Sequence, residues 1–251
     1  MRKIIAIGGG SIGFGAAKPE VMPISREIIR LSGKKSPRLL FIPTASSDDK
    51  AYARAVRNHF GGKLGCRVDS LFLLKHPPLP QEISKKIKNA DIIYVGGGNT
   101  LMMINRWKKL GVDGLLRDAA QKGKVLCGPS AGAICWFRQG NSDSRKFLNP
   151  KAKLIKVAGL GFIDALACPH YDVEKDREPG LKEMMKKTKG VAIAMDNCAA
   201  LEVVGERYRT VTSKPQAGVY KVFWLKKKYF QEKLTHDKAW RPLSGLLAKP
   251  S

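Results

Sequence analysis

Along its first half the chain repeats one pattern: a short apolar run, a loop of small residues, then a longer amphipathic stretch. The runs fall at residues 4–7, 39–42, 68–74, 92–95 and 125–126, with helix-like stretches such as 50–60 and 101–109 between them. A strand that is apolar at every position is buried on both faces, as happens when helices cover a parallel sheet. The pattern therefore predicts an α/β fold, a single-domain three-layer sandwich around a mostly parallel central sheet. Ligands of such sheets sit at the carboxyl ends of the strands. The loops there read Gly8-Gly9-Gly10, Pro43-Thr44-Ala45-Ser46, Gly96-Gly97-Gly98-Asn99-Thr100 and Cys127-Gly128-Pro129-Ser130. Further strands are expected at 166–168, 190–195, 199–204, 208–211 and 220–225. Residues 1–225 read as the domain and 226–251 as a basic C-terminal tail, either loosely held or packed on it.

Within that frame, Gly128-Pro129-Ser130-Ala131-Gly132 matches G-x-S-x-G between a short strand and an apolar helix start. A serine in such a turn projects its hydroxyl from the sheet edge, and small neighbours avoid clashes with it. The Ala131 amide is then a natural oxyanion donor, and the free amides after residue 95 offer a second, assigned to Gly98. Asn99 and Thr100 either meet substrate or cap the helix that begins there. An ordinary tight turn is the competing reading of the whole motif.

A serine hydroxyl is a weak nucleophile at neutral pH and needs a base. Of the four histidines, His59 lies in a helix-like stretch, His76 precedes Pro77-Pro78 and His236 lies in the basic tail. The first two read as surface residues. His170 follows Pro169 at the end of a predicted strand and so belongs to the same edge as Ser130. The orienting acid need only reach the imidazole in space, so Asp143, Asp172, Glu174 and Asp196 all stay open.

Gly8, Gly10 and Gly13 also fit G-x-G-x-x-G after a first strand, with Glu27 at a plausible distance for a ribose contact. Gly15, Pro19 and Pro23 follow, however, and do not suit the immediate helix that would hold a pyrophosphate. The glycines read better as a tight strand exit that leaves room for substrate.

Charge adds less. The chain has 46 Lys and Arg against 21 Asp and Glu, a net charge of +25, but the cations are spread along it. The positive field would suit an acidic substrate, and a solvated surface accounts for it equally well. A basic α/β domain binding nucleic acid or another anion is the alternative, non-enzymatic reading. The five cysteines are scattered, with no C-x-x-C pair, which suggests neither a disulfide framework nor a zinc site. The apolar run near the N-terminus is too short for a signal-peptide core or a membrane span. A cytoplasmic, soluble protein is expected.

Taken in order, Tyr94-Val95-Gly96-Gly97-Gly98-Asn99-Thr100, Gly128-Pro129-Ser130-Ala131-Gly132-Ala133 and Pro169-His170-Tyr171-Asp172 resemble the peptidase E family of serine peptidases. That family is similar in fold to the class I glutamine amidotransferases, whose nucleophile is a cysteine; a serine at 130 argues against glutamine hydrolysis. The resemblance implies Ser130 as nucleophile, His170 as base and the Gly98 and Ala131 amides as the oxyanion hole. It makes Asp143 the nearest match to the acid, and puts Glu174 and Arg177 where the family holds a charged substrate. The best-known members are aspartyl dipeptidases and relatives include cyanophycinases, so a small peptide is the expected substrate, with an N-terminal aspartate as one candidate. Neither metal nor organic cofactor is needed. No membrane or nucleic-acid partner is expected, and a homodimer is compatible with the sequence.

Overall fold

The computed structural model describes residues 1–13 and 17–249. In chain order the first half comprises β1 (Lys3–Ile7), α1 (Met22–Ser32), β2 (Arg38–Ile42), α2 (Lys50–Val56), β3 (Arg67–Ser70), α3 (Pro80–Asn89) and β4 (Ile92–Val95). Next come α4 (Thr100–Leu110), α5 (Val112–Gln121), β5 (Val125–Pro129), α6 (Ala131–Ile134), β6 (Phe137–Ser142), β7 (Ile155–Ala158) and β8 (Ile163–Cys168). The remainder is α7 (Arg177–Lys186), β9 (Ala192–Met195), β10 (Ala199–Val204), β11 (Arg207–Thr212), β12 (Val219–Leu225), β13 (Lys228–Lys233), β14 (Arg241–Pro242) and α8 (Leu243–Leu247).

These strands form two sheets. The larger has the order β14-β11-β10-β1-β5-β4-β2-β3. Its β1, β5, β4, β2 and β3 run parallel, while β10, β11 and β14 add antiparallel neighbours on one side. All four residues of β4 are buried, as expected for a strand covered on both faces. The α/β sandwich expected from the sequence is thus present. The smaller sheet, β13-β12-β9-β8-β6-β7, differs from the single central sheet expected. Hydrophobic runs such as 163–168 and 192–195 announce buried strands but carry no information about which strand each will pair with.

The chain crosses between the sheets at the carboxyl ends of their strands. Ser130 and α6 lead from β5 in the large sheet to β6 in the small one, and residues 196–198 lead back from β9 to β10. A third crossing, 213–218, joins β11 to β12 and bonds to the second: Ser213 N donates to Cys198 O, and Asp196 N donates to Gly218 O. The crossings therefore hold each other.

The segment after residue 225 is built into the fold. β13 pairs with β12 along its length through a turn at Lys226 and Lys227, both at positive φ, the geometry that matches the twist of a two-residue hairpin. β14 then pairs with β11, and α8 buries Leu243 and Leu246. The lysine run is a hairpin turn facing solvent. All five cysteines are buried and unpaired. Among the described residues, no helix is long and apolar enough to cross a membrane.

Candidate active site

Three consecutive carbonyls at the end of β1 organise the site. Ile7 O accepts from Ser130 N at 3.1 Å, Gly8 O from His170 N at 3.1 Å and Gly9 O from Cys198 N at 3.0 Å. The loops after β5, β8 and β9 therefore hang from one strand end, and serine and histidine come to one edge although 40 residues separate them. Gly9 has to be glycine for this: a Cβ there would lie 1.9 Å from Asn197 Oδ1 and 2.5 Å from His170 Nδ1.

Ser130 has φ 56° and ψ −115°, a region that costs a non-glycine residue free energy and that clusters at functional sites. The turn survives because its surroundings fix it. Ser130 N is bonded to β1, Ser130 O accepts from both Ala133 N and Ile134 N, and Gly97 packs so closely that a Cβ on it would lie 3.3 Å from Ser130 Cβ. The helix that follows is only four residues long, so the donor offered to an oxyanion is the Ala131 amide itself rather than an extended dipole. Gly98, at φ +130°, is the other donor placed nearby, and a Cβ on it would lie 2.2 Å from Ala45 O. Among the described residues neither the Gly98 nor the Ala131 amide has a hydrogen-bond acceptor within the chain.

His170 Nδ1 meets Asn197 Oδ1 at 2.8 Å. Because an amide oxygen only accepts, this contact puts the proton on Nδ1 and leaves Nε2 with its lone pair. Asn197 is held in turn by its backbone amide, which donates to Asp172 Oδ1 at 2.8 Å. Sequence reasoning missed Asn197. It flagged the neighbouring Asp196, which turns the other way, accepting from Gly218 N at 2.8 Å and Tyr220 OH at 3.1 Å. Burial pushes the Asp196 carboxyl up. The usable signal was the strand end at Met195 followed by a short crossing.

The remaining expected residues gather elsewhere. Asp143 Oδ2 lies 3.8 Å from Arg177 Nη2, Glu174 Oε2 accepts from Arg177 Nε at 2.6 Å, and Arg177 Nη1 donates to Asn141 O at 2.7 Å. The Arg177 side chain is only 1% exposed, and its Nε and Nη1 donors fix α7 against the end of β6. Asp143 is thus joined to Arg177, and the position beside His170 Nδ1 is taken by Asn197. Asn99 caps α4, accepting from Met102 N at 3.0 Å, and its amide donates to Ser144 O. Thr100 is buried, and among the described residues its Oγ1 has no hydrogen-bond partner.

Two other sequence readings meet the structure here. His59, expected on the surface, is buried: a π-helical turn over Arg57–Gly62 swings it inward, where Nε2 meets Ser25 Oγ at 2.8 Å. Desolvation brings its pKa down to about 4, so the ring is neutral. The dinucleotide-like glycines open no helix. Ile12 bridges to Pro19, and α1 begins only at Met22, while Gly15 lies outside the described residues. Glu27 is held by Arg209 and Arg30.

Among the described residues no hydrogen bond joins Ser130 Oγ to the His170 ring, a looseness common in unliganded serine sites, which tighten on binding substrate. The arrangement is nonetheless what acyl transfer needs: a half-buried nucleophile on a strained turn, an imidazole fixed in the basic tautomer, and two unengaged amides.

The family model for Peptidase family S51 matches residues 4–211. A Bacillus subtilis (strain 168) protein named uncharacterized peptidase YgaJ is 38% identical over 224 residues, covering 88% of this chain and 92% of that one. A Peptidase E from Shewanella denitrificans is 32% identical over 109 residues, 43% of each chain. Among solved structures, a peptidase from an acI-B1 Actinobacterium has a TM-score of 0.71 at 19% identity, covering 96% of this chain and 97% of that one. A putative peptidase E from Listeria monocytogenes EGD-e has a TM-score of 0.63 at 22% identity, covering 84% and 98%.

Proposed function

Since the chain belongs to peptidase family S51 and is a serine-type peptidase, we propose that it hydrolyses small peptides through an acyl-enzyme on Ser130. Ser130 Oγ attacks the scissile carbonyl while His170 Nε2 takes its proton. Negative charge develops on the carbonyl oxygen, which the Gly98 and Ala131 amides receive. When the tetrahedral adduct collapses, His170 gives its proton to the departing amine and the C–N bond breaks. Water then enters with the same base and releases the acid, restoring Ser130.

Asn197 takes the orienting place in this scheme. Its Oδ1 holds the Nδ1 proton and directs Nε2 at the serine, but as a neutral amide it adds no charge to the imidazolium that forms. Asp143 belongs to the Arg177 cluster and acts on the site only through the position of β6. The observation that carries the reading is the hanging of Ser130 and His170 from adjacent carbonyls, with the far side of the imidazole capped by Asn197.

The substrate class is argued more coarsely. Arg177 is buried and tied to Glu174 and to Asn141 O, so preference for an N-terminal aspartate rests on the resemblance and the overall positive charge. The test is hydrolysis of a dipeptide panel, Asp-Leu among Ala-, Glu-, Lys- and Arg-led members, with Ser130→Ala alongside. Loss of the nucleophile is expected to cut kcat on the order of 10⁶-fold, as in other serine triads. Turnover near wild type in that variant would sink the mechanism, whereas cleavage of every member equally would remove the aspartate preference and leave the mechanism standing.

A further inference from the structure

Asn197 orients the imidazole, and the fold holds Asn197 unevenly. Residues 196–198 form the short crossing from β9 to β10, and each of its three amides is engaged. Asp196 N donates to Gly218 O at 3.0 Å and Cys198 N to Gly9 O at 3.0 Å, both backbone acceptors. The amide between them, Asn197 N, donates to a side chain, Asp172 Oδ1, at 2.8 Å. Asp172 lies two residues after the base, in a turn that clasps the end of β9 and the crossing at three points. His170 Nδ1 meets Asn197 Oδ1 at 2.8 Å, Tyr171 N donates to Met195 O at 3.2 Å, and Asp172 takes the Asn197 amide. Both segments that meet here are strained: His170 has φ 54° and Cys198, next to Asn197, has φ 65°, conformations that persist only where the surroundings over-determine them. Asp172 is exposed in a chain with 46 Lys and Arg. Yet among the described residues it forms no ion pair, and the Asn197 amide is its one hydrogen-bond partner.

Of these bonds, the one from Tyr171 N reaches the strand before the crossing, and Ala199 N, donating to Asp196 O at 3.2 Å, closes the crossing on itself. Apart from the imidazole contact, the Asp172 bond is what ties the residue touching the base back to the turn that carries the base. Reacting groups keep their geometry through outer hydrogen bonds of this kind, and a misplacement of about 1 Å costs on the order of 10²-fold in rate. We propose that Asp172 is a positioning residue for the base: by accepting the Asn197 N–H it fixes the crossing so that Asn197 Oδ1 stays on His170 Nδ1 and Nε2 stays aimed at Ser130. The carboxylate acts through Asn197 rather than on the imidazole itself. Base and brace belong to one turn, so a shift of that turn carries the crossing with it and the contact survives. This rests on the serine-peptidase reading of the site, and it gives a role to an acid that the sequence left as one of four candidates for direct contact with the histidine.

The test measures Asp172→Ala, Asp172→Asn, Asn197→Ala and the Asp172→Ala/Asn197→Ala double variant in the full-length enzyme, on a peptide that wild type cleaves, with Tm for each. Asn at 172 retains an oxygen that can accept the amide, and Ala does not. Disabling the residue that touches the base costs about 10²–10⁴-fold in kcat, so loosening it from behind is expected to cost about 10-fold. KM and Tm should stay near wild type, and Asp172→Asn should recover most of the loss. In the double variant, Asp172→Ala should cost less than about twofold beyond Asn197→Ala, because residues that act through one contact are not additive. The proposal is overturned by full additivity in that cycle, or by a loss in Asp172→Asn equal to that in Asp172→Ala. It is overturned equally by a rise in KM at unchanged kcat, or by Asp172→Ala with kcat within about twofold of wild type. Should Asp172→Ala lower Tm, the cycle still decides, since a general loosening of the fold would add its cost to that of Asn197→Ala. Failure of the underlying reading would look different: wild type would not bind a peptide boronic acid, which forms a tetrahedral adduct on the serine, and Ser130→Ala would retain turnover.

Discussion

Glu202, on β10, is fully buried, and its environment makes a measurable pH dependence of stability. Its Oε2 accepts from Arg209 Nε at 2.6 Å, but among the described residues its Oε1 has no hydrogen-bond partner and lies 3.9 Å from Arg30 Nη2. Glu27, on α1, shares the same cations, accepting from Arg209 Nη2 at 2.7 Å and from Arg30. Trp240 covers Arg209 from the other side, its ring centroid 4.8 Å from the guanidinium carbon. Two carboxylates therefore compete for Arg209, and desolvation pushes Glu202 up from 4.5 to about 7 while Glu27 is held down. A carboxyl whose pKa is raised on folding stabilises the fold below its unfolded pKa, and that contribution is lost as pH rises through the folded value. The window thus runs from about pH 4.5 to 7. At 1.36 kcal/mol per pKa unit the full loss is on the order of 3 kcal/mol. Glu202→Gln keeps an oxygen for Arg209 and removes the titration. At pH 8 the variant should be more stable than wild type by up to that amount, about 6 °C in Tm for a chain of this size, and at pH 4.5 the two should converge. The assay is thermal unfolding at half-unit pH steps. Curves for the two proteins that stay parallel from pH 4.5 to 8 would refute the reasoning, as would a variant less stable than wild type at pH 8.

Two further perturbations separate roles within the site. Asn197→Ala removes the acceptor that fixes the His170 tautomer and is expected to lower kcat by about 10²–10⁴-fold, by analogy with triads whose orienting residue is disabled. Its Tm should change little, and a drop in Tm with kcat preserved would count against the orienting role. Arg177→Met leaves the buried Asn141 carbonyl without its donor while Glu174, a third exposed, turns to water, a loss of about 1–3 kcal/mol. The expected signature is a large fall in Tm measured by calorimetry; a rise in KM for acidic peptides at unchanged Tm would instead make Arg177 a substrate contact.

The residues most legible from sequence were those whose backbone geometry is restrictive. Gly128, Ser130 and the glycines after residues 7 and 95 announce tight strand exits because few other residues fit there. His170 followed from its place at a strand end. The orienting residue was not legible, because the search was made among carboxylates and the structure uses an amide one position beyond Asp196. Which of two adjacent side chains faces the imidazole depends on how residues 196–198 cross from β9 to β10, and no periodicity reports that. Arg177 shows the same limit from another side. The resemblance put it where a charged substrate is held, but its burial is decided by the end of β6, a partner distant in sequence. The smaller sheet and the hairpin at Lys226-Lys227 were obscured for a related reason: strand runs are visible one at a time, whereas pairing is a property of two.

The three successive carbonyls at residues 7, 8 and 9 also bear on how such an enzyme can change. The reacting groups are registered against one strand end, so their spacing is independent of the lengths of the loops that surround them. Loops that carry none of these groups can lengthen, shorten or exchange side chains, altering which peptide is admitted, while the distance from nucleophile to base stays the same. A deletion of one residue between 7 and 9 has the opposite effect, displacing serine, histidine and asparagine together. Evolvability of specificity and fragility of chemistry thus reside in different parts of the same short edge.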